Sequence, residues 1–167
     1  MSWNYAVAYC RWMTAKTGKR FRLPTEAKWE YACRAGTTTP FNTGENLTIA
    51  QANFDGAYPY KGNRKGISRK NTVPVESFAP NGWGLKNMHG NVWEWCSDLY
   101  DESNYETCKA AGTVVNPLGP SGDSTANHVL RGGGWNYIAQ FCRSASRHND
   151  IAANRYNYIG FRVVLVP

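Results

Sequence analysis

Eight side chains of this 167-residue chain could hold a soft metal or act as nucleophile or base near neutral pH: Cys10, Cys33, Cys96, Cys108 and Cys142, with His89, His128 and His148. Their spacing suits none of the usual constellations. No two cysteines form a CxxC pair and no histidine stands at zinc-ligand distance from them, so a structural zinc is not expected. The histidines lack HxxxH spacing, and each is more simply read as solvent-facing or hydrogen-bonded within the fold. No GxSxG elbow and no phosphate-binding loop is present. Glu94 and Glu102 are the nearest approach to paired carboxylates, and nothing in the sequence brings a second carboxyl to catalytic distance.

The more informative chemistry lies in the last quarter, from Arg131-Gly-Gly-Gly-Trp to Ile159-Gly-Phe-Arg, where fixed-looking framework residues alternate with unrelated types. The free slots are Asn136, Tyr137, Ile138, Phe141, Ser146, His148, Asn149, Asp150, Ile151, Ala152, Ala153, Asn154, Tyr156, Asn157 and Tyr158. Each is reachable from an asparagine codon by changing only its two adenines. The span 136–158 contains no Lys, Glu, Met or Trp, which such changes cannot produce. Two readings stand: an Asn-rich loop region shaped by drift, or targeted adenine mutagenesis of a binding surface. All of these slots except Ala152 are taken as candidate ligand-contacting residues. Tyrosine on a rigid frame gives large contact area for little lost rotamer entropy, while Asn, Ser, His and Asp supply adaptable polar contacts. The alternative for any one aromatic is a place in the core.

Certain elements must hold these residues. Ser2 is a plausible N-cap for a helix running to about Lys16, with an apolar stripe of Ala6, Val7, Cys10 and Met13 and Gly18 available to end it. A second helix follows Thr25, with Trp29, Ala32 and Cys33 on one face and Gly36 terminating the pattern. From Thr37 to Pro80 there is little periodicity, which predicts a long excursion of the kind that often carries binding or metal sites. Asn91 to Cys96 alternates like a strand, with Val92 and Glu94 on one side and Trp93 and Trp95 on the other. Further strands are expected at Val129-Leu130-Arg131 and from Gly160 to Val166. The length fits one domain with a hydrophobic core, and two helices with short strands and many loops predict an α+β class.

The net charge of +7 raises the question of an acidic partner. The only dense basic cluster is Lys61 to Lys70, and the arginines at 131, 143, 147, 155 and 162 sit among framework motifs, so nucleic acid is not expected. No apolar run is long enough to span a bilayer and no signal-peptide pattern is seen, so the chain reads as soluble.

Four motifs in order, Arg22-Leu-Pro-Thr-Glu-Ala-Lys-Trp-Glu-Tyr-Ala, Gly84-Leu-Lys-Asn-Met-His-Gly-Asn-Val-Trp-Glu-Trp, Leu130-Arg-Gly-Gly-Gly-Trp and Ile159-Gly-Phe-Arg, resemble the formylglycine-generating enzyme (sulfatase-modifying factor) family across almost the whole chain. Within it, the Asn-rich tail is similar to the variable proteins of diversity-generating retroelements, in which a reverse transcriptase rewrites adenines of a C-terminal segment and the product binds ligands. The resemblance implies a C-type-lectin-like fold in its formylglycine-enzyme variant, one domain over 1–167 with a variable region at 131–163. Family domains place strands ahead of the segment matching Ser2-Trp3-Asn4, which leaves sheet completeness open and an edge that a partner could supply.

The resemblance also assigns residues. The thiol pair that binds copper in the formylglycine-generating type falls at Tyr137 and a shortened stretch up to Cys142, so neither copper nor that chemistry is expected. Histidine-held iron, as in relatives that oxidise sulfur compounds, would need a further helical domain. Cys33 and Cys142 match a pair that forms a disulfide in secreted members, whereas the family's partner for Cys10 is Val163 here. Asn87, Gly90, Val92 and Glu94 match the family's calcium motif, with main-chain oxygen from Gly90 and Val92; such a turn offers the oxygens a hard cation requires. The alternative is that Asn87 and Glu94 simply hydrogen-bond the turn. A second family site would use Asn53 and the Phe54 carbonyl, but its acidic partner has no match.

The expectation from sequence is therefore a non-enzymatic ligand-binding variable protein, with a protein or cell-surface ligand and calcium as a possible structural ion. A formylglycine-generating-enzyme-like catalytic domain and a fixed-surface interaction module are the alternatives.

Overall fold

Ser2 and Gly18 set the ends of the first helix. In the computed structural model, which describes residues 1–123 and 125–166, α1 spans Trp3–Thr17, the Tyr5 amide donates to Ser2 Oγ at 3.3 Å, and Gly18 closes the helix at φ 69° with its own amide on the Thr14 carbonyl. Ala6 and Cys10 are its buried residues, as the stripe predicts. α2 covers Glu26–Arg34 under a Thr25 cap, with Trp29 and Cys33 buried on one face. It ends in a left-handed Ala35, one residue before the expected Gly36.

Four strands form the main sheet: β2 (Trp93–Leu99), β3 (Asn127–Arg131), β4 (Arg147–Ile151) and β5 (Ile159–Gly160), in the spatial order β4-β3-β2-β5. β4 and β5 are therefore its two edges. The β2–β3 and β3–β4 pairs are antiparallel, with Trp95 opposite Leu130 and Leu130 opposite His148, whereas β2 and β5 run parallel. A two-stranded ribbon pairs β1 (Arg20–Arg22) with β6 (Val164–Val166). A third helix, α3 (Asn104–Ala110), lies in the connection between β2 and β3.

The strand expected from Gly160 to Val166 is thus two strands in different sheets. Phe161 to Val163 turn the chain out of the main sheet, which lets Arg162 reach inward to Glu94. The β2 alternation holds, but both of its faces are covered. Trp93 and Trp95 pack with Ala6, Cys10 and Leu130, while Cys96 packs with Trp29, Cys33, Met88 and Val129. The long excursion is anchored by a core of its own, where Phe41, Leu47, Phe54 and Tyr60 meet Ala139 and Cys142.

The possible Cys33–Cys142 bridge is not formed here, both thiols being free. They belong to different core clusters. Cys33 Sγ lies 3.9 Å from the ring nitrogens of His89, which in turn reaches the Cys142 carbonyl, so the imidazole occupies the space between the two residues.

The segment around Gly90 has no room for a side chain. Its φ is +72°, its amide donates to the Gly132 carbonyl at 2.7 Å, and an added Cβ would stand 2.2 Å from the Asn53 carbonyl oxygen. Gly90→Ala should combine backbone strain with that collision and destabilise the fold by about 2–4 kcal/mol, read as a lowered urea midpoint. An unchanged midpoint would show that the Asn53 strap is not fixed against Gly90.

Candidate functional site

Two arginines and two glutamates sit directly beneath the last quarter of the chain. Arg131, fully buried on β3, pairs with Glu30, lies 3.5 Å from Glu26 and donates to the Ser146 carbonyl. Arg147 at the start of β4 meets Glu26 with two hydrogen bonds of 2.7 and 2.9 Å, and its guanidinium covers Tyr100 and Tyr105. Two-pronged contacts of this kind fix direction as well as distance. The carboxylates come from α2, so the helix orients the strand edge that carries the variable positions.

On the opposite face of the sheet stands an aromatic cluster. Trp93 forms its floor with 0% exposure; Tyr137 meets it edge-on at 5.4 Å and His148 lies 5.1 Å away. Tyr137 also touches Phe141 and Tyr158 edge-on at 5.8 and 5.7 Å, and Tyr158 stacks on Tyr156 at 5.0 Å with planes 6° apart. Burial lowers the His148 pKa, opposed by Asp150, and the same burial, reinforced by Tyr137, raises the Tyr158 phenol. The face is therefore aromatic and uncharged in its centre at neutral pH. Trp93 Nε1 is buried without a partner at its floor.

The variable positions divide clearly. Asn136, Phe141, His148, Ile151, Ala153, Tyr156 and Asn157 are exposed, and Tyr137, Ile138, Asn149, Asp150, Asn154 and Tyr158 are half-buried. Ser146 is a correction: it is 5% exposed, its hydroxyl donates to the Gln140 carbonyl and its own carbonyl receives Arg131. That makes it framework rather than surface. Ala152, set aside from the candidates, is also buried. Trp93, the floor, escaped sequence reasoning because it lies in a motif read only as a strand; its place opposite the variable stretch follows from sheet order alone.

A second locus gathers the oxygen-bearing turn. Asn87, Gly90, Val92 and Glu94 line one cavity of about 370 Å³ together with Phe161 and Arg162. Asn87 Oδ1 is buried without a partner while its amide nitrogen donates to the Val75 carbonyl. Glu94 is already engaged: Arg162 donates to both its oxygens at 2.5 and 2.7 Å, and Trp29 Nε1 donates to one at 2.7 Å. A cation here would share Glu94 with Arg162. Asn53 Oδ1 is likewise buried and unpartnered, but its amide bonds to Asn91 and the Asn71 carbonyl. Among the described residues no three His, Cys, Asp or Glu side chains come together to hold a metal ion.

The thiols do not fit thiolate-bound copper. Burial pushes both Cys33 and Cys142 up to about 12 and Cys96 well above the usual range.

The model of the sulfatase-modifying factor enzyme 1-like domain matches residues 1–166. The chain belongs to that family. Among curated relatives of this sulfatase-modifying-factor-type domain, the formylglycine-generating enzyme of Streptomyces coelicolor is 39% identical over 97% of this chain and 50% of its own length. The Mycobacterium tuberculosis formylglycine-generating enzyme is 36% identical over 97% of this chain and 54% of its own length. The chain spans about half the length of these relatives. Among solved structures, PvdO from Pseudomonas aeruginosa superimposes with a TM-score of 0.77 at 34% identity, covering 99% of this chain and 60% of that one. Treponema denticola variable protein 1 superimposes with a TM-score of 0.76 at 24% identity over 100% of this chain and 70% of that one, which shows the shared C-type-lectin-like fold. The expectation that the protein is not an enzyme is overturned by these relatives, which are named as enzymes and align with nearly all of the chain.

His89 gives this domain an acid-sensitive centre. Its Nε2 accepts from the Asn42 amide at 3.0 Å, and its Nδ1 therefore donates to the Cys142 carbonyl at 2.7 Å. Burial lowers its pKa to about 4, against an ordinary 6.5. A second proton would set Nε2–H against the Asn42 N–H. The unfolded chain takes up that proton first, so stability present above pH 6.5 should fall as pH drops towards 4, by on the order of 2–3 kcal/mol. Urea midpoints measured across that window check this, and His89→Gln should flatten the slope there.

Proposed function

We propose that this sulfatase-modifying-factor-type domain recognises a polypeptide segment on the face of residues 136–158, as part of a formylglycine-generating-enzyme-like protein. The observation that carries the reading is the open aromatic cluster of Tyr137, Phe141, Tyr156 and Tyr158 over Trp93, on a sheet that ion pairs brace from its other face. Such a cluster offers rigid rings to apolar side chains, and the neighbouring Asn136, Asn149, Asp150 and Asn154 offer donors and acceptors to a peptide backbone. What supports an enzymatic context is the similarity to formylglycine-generating enzymes. Cys33, Cys96 and Cys142 are buried, and burial raises their thiols well above the usual range, so none of the three offers an exposed thiolate.

A second reading, that the face is diversified by adenine-directed mutagenesis, is favoured by every candidate slot but Ser146 being exposed or half-buried. It predicts substitutions at codons 136–158 across the source population with Arg131, Arg147 and Gly160 unchanged; an even spread over the gene contradicts it. We further propose that the Asn87, Gly90, Val92 and Glu94 cavity takes calcium, supported by the unpartnered Asn87 Oδ1.

Panning a random peptide library against the domain tests the main reading. Retained peptides should lose at least about tenfold in affinity on Tyr137→Ala or Tyr158→Ala, and an aldehyde-reactive probe applied to cysteine-containing binders reads turnover. Failure to retain any peptide overturns it. For the cation, thermal melting with millimolar calcium should exceed that with chelator, and Asn87→Ala should remove the difference.

A further inference from the structure

The basic cluster at Lys61 to Lys70 is absorbed by none of the sites above. Residues 56–75 include Lys61, Arg64, Lys65, Arg69 and Lys70 and no carboxylate. Among the described residues, none of these five has an ion pair. Arg69 has an internal role, donating to the carbonyls of Ile49 and Ala52 and lying over Phe78. The nearest upstream acid, Asp55, accepts from the Ala57 amide in its own turn.

This segment is built rather than loose. The Gly66 amide donates to the Gly56 carbonyl at 2.8 Å and closes the loop, and a Cβ at Gly56 would meet the Ile67 carbonyl oxygen at 2.4 Å. Lys61 itself is held in the left-handed region at φ 44°, and its ammonium lies 5.3 Å from the centre of the Tyr60 ring. Tyr58 projects into solvent, 61% exposed. The loop is also tied to the recognition stretch, since the Asp55 amide donates to the Tyr137 carbonyl and the Ala139 amide to the Tyr58 carbonyl.

Between the two runs lies a groove of about 720 Å³ lined by Tyr58, Pro59, Lys61, Lys65, Ile138 and Gln140. We propose that this groove docks an acidic polypeptide segment, continuous with the one recognised by the aromatic face. The assignment rests on that reading for the continuity, while the groove's charge stands apart from it. Two ammonium groups beside an apolar floor suit carboxylates interspersed with apolar side chains. A nucleic acid would require a longer track of cations to engage successive phosphates.

The test uses the whole chain and three probes: a fluorescent peptide alternating Glu with Leu and Ser, its Gln-for-Glu counterpart, and a single-stranded DNA of equal net charge. Anisotropy should show the acidic peptide binding more tightly than the other two, weakening with salt, and losing about tenfold in affinity in K61E/K65E. Should charge reversal impair folding, judged by the near-ultraviolet circular dichroism spectrum, K61M/K65M should show the same loss. Equal binding of the Gln peptide, equal binding of the DNA, or unchanged affinity in both lysine variants overturns the assignment. Tyr137→Ala separates the two proposals. Loss there with the lysine variants unaffected sinks the groove and leaves the face, and the reverse pattern sinks the face and leaves the groove.

Discussion

Arg131 is the constraint on which the recognition surface depends. A guanidinium with no solvent exposure is sustained only where carboxylates and carbonyls surround it, because desolvating an ion costs several kcal/mol. Glu26 and Glu30 on α2 and the carbonyl of Ser146 meet that requirement from opposite sides. One side chain thereby joins the second helix, the central sheet and the turn ahead of β4. Arg147 repeats the arrangement one strand over through Glu26, so α2 and the edge strand are tied to each other. This accounts for a surface whose outer residues are of mixed type while the backbone beneath them is tightly held.

The same logic extends to the other side of β2, where Glu94 receives Arg162 and Trp29. The Glu26 and Glu30 centre receives two arginines from the C-terminal third, Arg131 and Arg147, and the Glu94 centre receives one, Arg162. The aromatic cluster lies on the face of the sheet opposite to the Glu26 and Glu30 centre, while the oxygen-lined cavity opens beside Glu94. A cation at the second locus would compete electrostatically with Arg162, which links occupancy there to the position of the segment between β5 and β6.

Much of this was legible in the residues. The capping serine and threonine, the left-handed glycine after α1 and the apolar stripes gave both long helices, because local hydrogen bonds and periodicity determine them. β4 was hidden: Arg-His-Asn-Asp-Ile has little strand propensity and becomes a strand through pairing with all five residues of β3. Ser146 looked like a surface slot because its type fits the codon pattern, yet its burial follows from the arginine beneath it, a contact made across fifteen residues. The possible Cys33 and Cys142 pair is unbridged here, and the His89 contacts to both residues are tertiary facts that no local pattern carries. Family motifs carried the fold correctly, whereas Tyr137 in place of a thiol led the sequence reading to expect no enzymatic activity, although relatives named as enzymes match nearly all of the chain.

The sheet order has a mechanical consequence. β4 and β5 are opposite edges, and Ile151 pairs at the start of β3 whereas Ile159 pairs at the start of β2. Residues 152–158 must therefore carry the chain diagonally across the sheet, roughly 20 Å at ordinary strand spacing and rise, with eight residue steps that reach about 27 Å when fully drawn out. The segment is a strap with little slack, and its side chains are carried along a path whose course the two strand ends dictate. Exchanging residues on such a strap alters what it displays. Removing even a few residues would pull an edge strand out of register, so this stretch is free in composition and bounded in length.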